Sequence, residues 1–270
     1  YKVYGDFSEE LNAKTKPKKD ISVDKVNNLA VNKATEDSLE LKWDKVDNAS
    51  GYQVYKFDEN GSPLPYYGNT IVSYLNDQRW PVFDEAVRVQ EALKKCGFSQ
   101  KLAFLPPSSF HMTVLTLCRE IDRGTPYWPK GMAADETFQG IDRILKERVA
   151  AVPLPEGVFV EVEDCEEIRI ILKPQDKESA DKLRAYRDQV AEVTGIRHSW
   201  HDTFRYHLSL DYLLKPLDEE EKRERDAVCA RFAGELRRTV KPFLLPKPEF
   251  VIFNDMMSYE TDLSKRGAAY

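Results

Sequence analysis

The chain reads as an α+β protein made of two comparable halves. Strand-like and helix-like periodicities alternate from Lys56 onward, and the same grammar of elements recurs in the second half. Each half also carries one copy of a His-x-(Thr/Ser)-hydrophobic tetrapeptide. At 270 residues there is material for one large domain, or for a medium domain with an appendage, and either buries a sizeable core.

From Tyr1 to about Asp24 the sequence is Lys-rich and lacks a hydrophobic period, as in KTKPKKD, so a solvated arm is expected there. Between about Val26 and Tyr55, Leu39, Leu41 and Trp43 alternate, a polar turn follows at Asp47 to Ser50, and Tyr52 and Val54 alternate again, a β pattern. This stretch resembles the first half of a bacterial fibronectin type III module, in which a strand ending near Trp43 precedes a strand like Gly51 to Tyr55. Three strands cannot close a sandwich by themselves. The expected division is therefore 1–55 for the arm and partial module and 56–270 for the main domain.

In the main domain Thr70 to Leu75 reads as a strand. Pro81 at a helix start, followed by Phe83, Ala86, Val87 and Leu93, predicts an amphipathic helix. Lys101 to Leu105 and Phe110 to Leu117 read as strands on either side of Pro106-Pro107-Ser108, and Phe138, Ile141, Leu145 and Val149 mark a second helix. The second half offers strands at Val158 to Val162 and Ile168 to Leu172, and a helix on Leu183, Tyr186, Val190 and Val193. A strand at Phe204 to Leu213, a charged helix from Leu217 to Val240 and a last strand at Phe250 to Phe253 complete it.

Composition narrows the function. With 41% hydrophobic and 32% charged residues the chain is of ordinary globular type, and no apolar run approaches the ~20 residues of a membrane-spanning helix. A net charge of −6 argues against a sequence-independent grip on long nucleic acid, which needs many phosphates neutralised at once. A small phosphorylated ligand and a monomeric protein are expected, with no membrane partner. The four cysteines Cys96, Cys118, Cys165 and Cys229 form no CxxC pair and read as small buried hydrophobes. Their usage fits a reducing cytoplasm, whereas a fibronectin-like module in a bacterium implies export. The G-x-S-x-G elbow, GxGxxG and GxxxxGK[ST] are all missing, which removes serine-hydrolase, dinucleotide and P-loop chemistry.

Of only four histidines, two begin the matched tetrapeptides His111-Met112-Thr113-Val114 and His207-Leu208-Ser209-Leu210. Side chains alternate across a strand, so His111 and Thr113 share one face while Met112 and Val114 anchor the other, and His207 and Ser209 repeat the arrangement. Phosphodiester chemistry needs a base for the attacking hydroxyl or water and an acid for the leaving oxygen, and imidazole serves as either. The Thr113 and Ser209 hydroxyls supply hydrogen bonds to the non-bridging oxygens. Such a scheme requires no metal or cofactor. A histidine meets this pattern by chance roughly one time in 20. Read singly, each is an ordinary half-buried strand residue; the matched pair is what points to chemistry.

Paired H-x-[ST]-hydrophobic motifs, one per half, resemble the 2H phosphoesterase superfamily, which includes RNA 2′,3′-cyclic phosphodiesterases and the LigT-type 2′-5′ RNA ligases. The contexts KFDENGSPLPYYGNTI, FLPPSSFHMTV and RYHLSLDYL are similar to an uncharacterised bacterial branch of it. The resemblance covers about Lys56 to Glu260. It implies a bilobal fold with a duplicated α/β unit around a central groove, metal-independent catalysis by His111, Thr113, His207 and Ser209, and RNA-processing or cyclic-nucleotide substrates.

Around the pair, Arg205 shares the face of His207 and is the stronger candidate for gripping substrate, with Tyr206 beside it. Tyr67 and Trp128 are candidates for walling the groove and selecting a base. His198 and His201 form an HxxH, but no third ligand stands at fitting spacing, so no metal is expected. The leading expectation is hydrolysis or transfer at a 2′,3′-cyclic nucleotide or a cyclic-phosphate RNA end. The alternatives are a non-catalytic nucleotide or phospho-ligand binding protein of the same fold and an extracellular adhesion or carbohydrate-associated module.

Overall fold

The computed structural model describes residues 27–28, 30–34, 39–47, 66–254 and 258–267. Contacts divide the chain into two compact units, 1–65 and 66–270. In the first, β1 (Ala30–Ala34) pairs antiparallel with β2 (Leu39–Lys42), with a bulge between Val31 and Lys33. Asn28 closes the hairpin base by donating from Nδ2 to the Asp44 carboxylate at 2.7 Å. The expected strand on Tyr52 and Val54 lies outside the described residues.

The second unit runs β3 (Gly68–Tyr74), α1 (Phe83–Leu93), β4 (Leu102–Phe104), β5 (His111–Arg119) and α2 (Phe138–Ala150). It continues β6 (Phe159–Glu166), β7 (Arg169–Pro174), α3 (Lys177–Thr194), β8 (His207–Ser209) and β9 (Asp211–Leu213). It closes with α4 (Glu219–Thr239), β10 (Phe243–Leu244) and β11 (Glu249–Phe253). Helices and strands are mixed and the pairings are antiparallel, an α+β fold.

Seven strands make one sheet in the order β10-β6-β7-β8-β5-β3-β11. The two strands that carry the histidine motifs, far apart in sequence, are therefore neighbours at its centre. The stretch expected as one strand from Phe204 to Leu213 is split at Leu210. There the Leu210 carbonyl leaves the large sheet to accept from Leu105 N at 3.0 Å and Gln90 Nε2 at 2.8 Å. Residues beyond it pair instead with β4 in a two-stranded sheet.

Local chemistry places the helix ends. Thr137 caps α2 through Gly140 N, Asp176 caps α3 through Ser179 N, and Asp218 with Glu221 forms a capping box on α4. The α3 helix stops at Gly195, whose φ of 73° only glycine adopts readily. Of the faces expected from periodicity, Phe138, Ile141, Leu145 and Val149 on α2 and Leu183, Tyr186 and Val190 on α3 are buried, whereas Val193 near the end of α3 is exposed. α1 packs on α4, α2 on α3, and α4 on β6.

One buried polar network fastens the C-terminal segment to the sheet edge. Arg266 donates Nε and Nη2 to the two oxygens of Asp142 at 2.6 and 2.8 Å, and also to the carbonyls of Phe253 and Gly68. Asn69 adds a 2.9 Å bond to the same carboxylate. Among the described residues no helix is long and apolar enough to cross a membrane.

Candidate active site

Register brings the two motifs together. Met112 lies opposite Leu208, and Leu208 opposite Ile170 on its other side. All three side chains are fully buried, the apolar backing of the site. One step either way in this antiparallel pairing sets His111 across from Ser209 and Thr113 across from His207. Each imidazole thus faces the other motif's hydroxyl. The two histidines stand on the diagonal, a separation of about 7–8 Å that leaves room for a tetrahedral group between them.

On this face the sheet carries a cleft of about 860 Å³. His111, Thr113, His207 and Ser209 all line it, as does Arg205. Thr116 joins them although it is three residues from Thr113. The β3–β5 register shifts between Ile71 and Val72, so an extra β5 residue bulges out and the two threonines return to one face.

Both imidazoles are oriented alike. His111 Nδ1 lies 2.7 Å from the Ser109 carbonyl and His207 Nδ1 lies 3.0 Å from the Arg205 carbonyl, each two residues upstream. A carbonyl only accepts, so each Nδ1 carries a proton, which leaves Nε2 as the titrating atom. Burial pulls the His111 pKa down to about 4, opposed by the bond to Ser109 and assisted by nearby His207. Burial also lowers that of His207, again against its backbone bond, with Arg169 and Arg205 adding to the lowering. Both rings favour the neutral form until an anion enters.

A stack of rings builds one wall. Tyr127 lies against His198, which stacks on Trp200 at 4.5 Å, and Trp200 faces the cleft. Tyr259 lies 4.3 Å from the His111 ring. It is seated by the Tyr74 hydroxyl, which donates to its carbonyl, and by paired backbone bonds between Ile252 and Glu260. Sequence reasoning missed Tyr259, Thr116, Arg169, Tyr212 and Asp211 as lining residues. Of these only Asp211 had a signal, the two-residue step His207, Ser209, Asp211.

Three of the expected binding residues lie elsewhere. Tyr206 is one strand position from His207, so alternation sends it to the core, where it is 8% exposed and packs edge-on against Phe204. Tyr67 packs on Phe138 with the Arg266 guanidinium over its ring. Trp128 is 8% exposed, donates Nε1 to the Ala133 carbonyl and lies under Arg123. None of the three lines the cleft.

The HxxH also separates. His198 Nε2 bonds the Leu117 carbonyl at 2.8 Å, while His201 Nε2 bonds Asp188 at 2.9 Å. Asp188, His201 and Asp202 do bring one ligand atom each within 4.8 Å of one another, outside the cleft. Arg184 and Arg197 already bridge both carboxylates, so two guanidiniums occupy the place of a cation.

Comparison with known proteins gives a family for part of the chain. Residues 56–170 match a family model described as "2H-phosphodiest", a domain of unknown function (DUF1868). The matched span holds His111 and Thr113 and ends before His207 and Ser209. Among solved structures, the chain is similar to a conserved protein of unknown function, ATU0111, from Agrobacterium tumefaciens str. C58. The two share 26% identity with a TM-score of 0.68, covering 76% of this chain and 88% of that one. A second, TT0787 of Thermus thermophilus, is 14% identical with a TM-score of 0.33, covering 68% and 86%. The curated proteins contain no match.

Proposed function

Since the chain belongs to the 2H phosphoesterase superfamily, we propose that it is a metal-independent phosphodiesterase acting on a small diester, with a 2′,3′-cyclic phosphate of a nucleoside or RNA end as its substrate. The observation that carries this reading is the register of β5 and β8, which sets each Nε2-presenting imidazole across from the other motif's hydroxyl at one cleft. A pure binding site has no use for two titrating groups in this disposition.

In the proposed step a water oxygen attacks phosphorus and its proton passes to Nε2 of His111, the more deeply buried of the two rings. The bond from phosphorus to the leaving ribose oxygen breaks as that oxygen takes a proton from Nε2 of His207. Thr113 and Ser209 donate to the non-bridging oxygens, where charge builds in the transition state. The products are a phosphomonoester and a free hydroxyl.

Incubation with a panel of 2′,3′-cyclic nucleotides in EDTA tests the reading. Turnover of at least one member, unchanged by added divalent cations, is expected. Failure of every cyclic nucleotide and every cyclic-phosphate oligonucleotide, with binding retained, would favour a phospho-ligand binding protein instead.

A further inference from the structure

For a site that handles phosphate, the cleft is short of positive charge. Among the described residues that line it, the guanidiniums Arg169, Arg205 and Arg225 face the carboxylates Glu166 and Glu167 and the carboxyl of Asp211, whose pKa burial pushes up to about 7 and which is ionised above that pH. Pairing is also local. Arg205 bonds Glu166 and lies 3.6 Å from Glu163, Arg169 lies 3.2 Å from Glu167, and Arg225 lies 2.8 Å from Asp226.

Register places these charges near the reacting group. Glu166 lies opposite Arg169, and Arg169 opposite Ser209, so one cross-sheet row runs from the Glu166 carboxylate to the proposed phosphate site. On the other side Asp211 follows Ser209 by two residues, no more than about 7 Å along the chain. Asp211 is 6% exposed and neither of its oxygens has a hydrogen-bond partner among the described residues. An entering phosphate therefore meets many donors and no uncompensated cation.

A singly charged diester can be held by such donors. A dianionic monoester brings a second charge that the three paired guanidiniums cannot neutralise without abandoning their carboxylates, and it meets the carboxylates themselves. We propose that the cleft selects a phosphate group bearing one negative charge, holding the phosphodiester monoanion and expelling the dianionic monoester that its hydrolysis yields, with Glu166 and Glu167 setting the discrimination. This deepens the function proposed above and rests on it. It also gives product release a physical cause: hydrolysis of a diester and loss of the second phosphate proton to solvent add one charge to a cleft balanced for none.

Calorimetric titration at pH 8 and low salt, with a 2′,3′-cyclic nucleotide and with the 2′- and 3′-monophosphates of the same nucleoside, tests the charge limit. His207→Ala protein serves for all three ligands, so that the cyclic one is not consumed and the affinities are compared on one protein. The monoesters are expected to bind at least about tenfold more weakly than the cyclic diester. Because Coulomb energy scales with ligand charge, removing one exposed carboxylate strengthens monoanion binding by about threefold and dianion binding by about the square of that. Glu166→Gln and Glu167→Gln, near-isosteric changes at partly exposed sites, should each show that ratio. Monoester binding as tight as that of the diester, or equal gains for the two charge states in both variants, would overturn the proposal. Absence of turnover in the panel above, with the charge ratio intact, would sink the enzymatic reading and leave the charge limit standing.

Discussion

His111 sits 6% exposed with its Nδ1 proton committed to the Ser109 carbonyl, and its neutrality is a consequence of burial. A folded-state pKa of about 4 against an ordinary 6.5 means the native state binds fewer protons than the unfolded chain between those values. Stability therefore falls as pH drops from 6.5 towards 4, by up to about 1.4 kcal/mol per pH unit for this one group. Replacement of His111 by Gln should flatten that part of the curve of unfolding free energy against pH; an unchanged slope would show that the ring is not held neutral. Kinetics follow the same sign. Both free-enzyme imidazoles titrate below 6.5, so the apex of kcat/KM is expected on the acid side of pH 6.5, and an apex above pH 7.5 would contradict the assignment. The four motif residues were legible in the sequence because a strand's two-residue period alone decides which of them share a face. Tyr206 fails on the same rule, and Thr116 was illegible because its orientation depends on a bulge opposite β3 that no local spacing announces.

Elements with their own signals were read correctly. Helices α2 to α4 carry side-chain caps and all four helices carry apolar stripes, and the strands β3, β5, β6, β7 and β11 carry runs or alternation long enough to stand out. The short strand β10 and the break at Leu210 have no such signal, since both are set by partners from distant segments. The Asp142–Arg266 pair belongs to this class: it joins α2 to a C-terminal segment 124 residues on, with both side chains at most 1% exposed. Asp142→Ala leaves a buried guanidinium without its carboxylate and should cost about 3–5 kcal/mol in urea unfolding. The double replacement Asp142→Leu with Arg266→Met should recover part of that loss. A single variant of wild-type stability would show that the network does not fasten the segment.

Across the whole molecule the decisive fact is topological. The motif strands are separated by some two elements of helix and two of strand in sequence, yet the sheet order places them side by side, and the cleft exists only because they meet. Tyr259, from a segment beyond the last strand, then closes against His111. Sequence periodicity supplied the parts and the recurrence of the motif hinted at their meeting, but pairing between strands so far apart is written in no local pattern. The central claim is that His111 and His207 act as one acid–base unit on a phosphodiester. Its most direct test is kcat/KM on the best cyclic nucleotide for wild type, His111→Ala, His207→Ala and the double variant. Each single replacement should cost about a hundredfold or more, and the double little beyond the worse single, because groups acting as a unit are not additive. Single variants within a few-fold of wild type would contradict the claim.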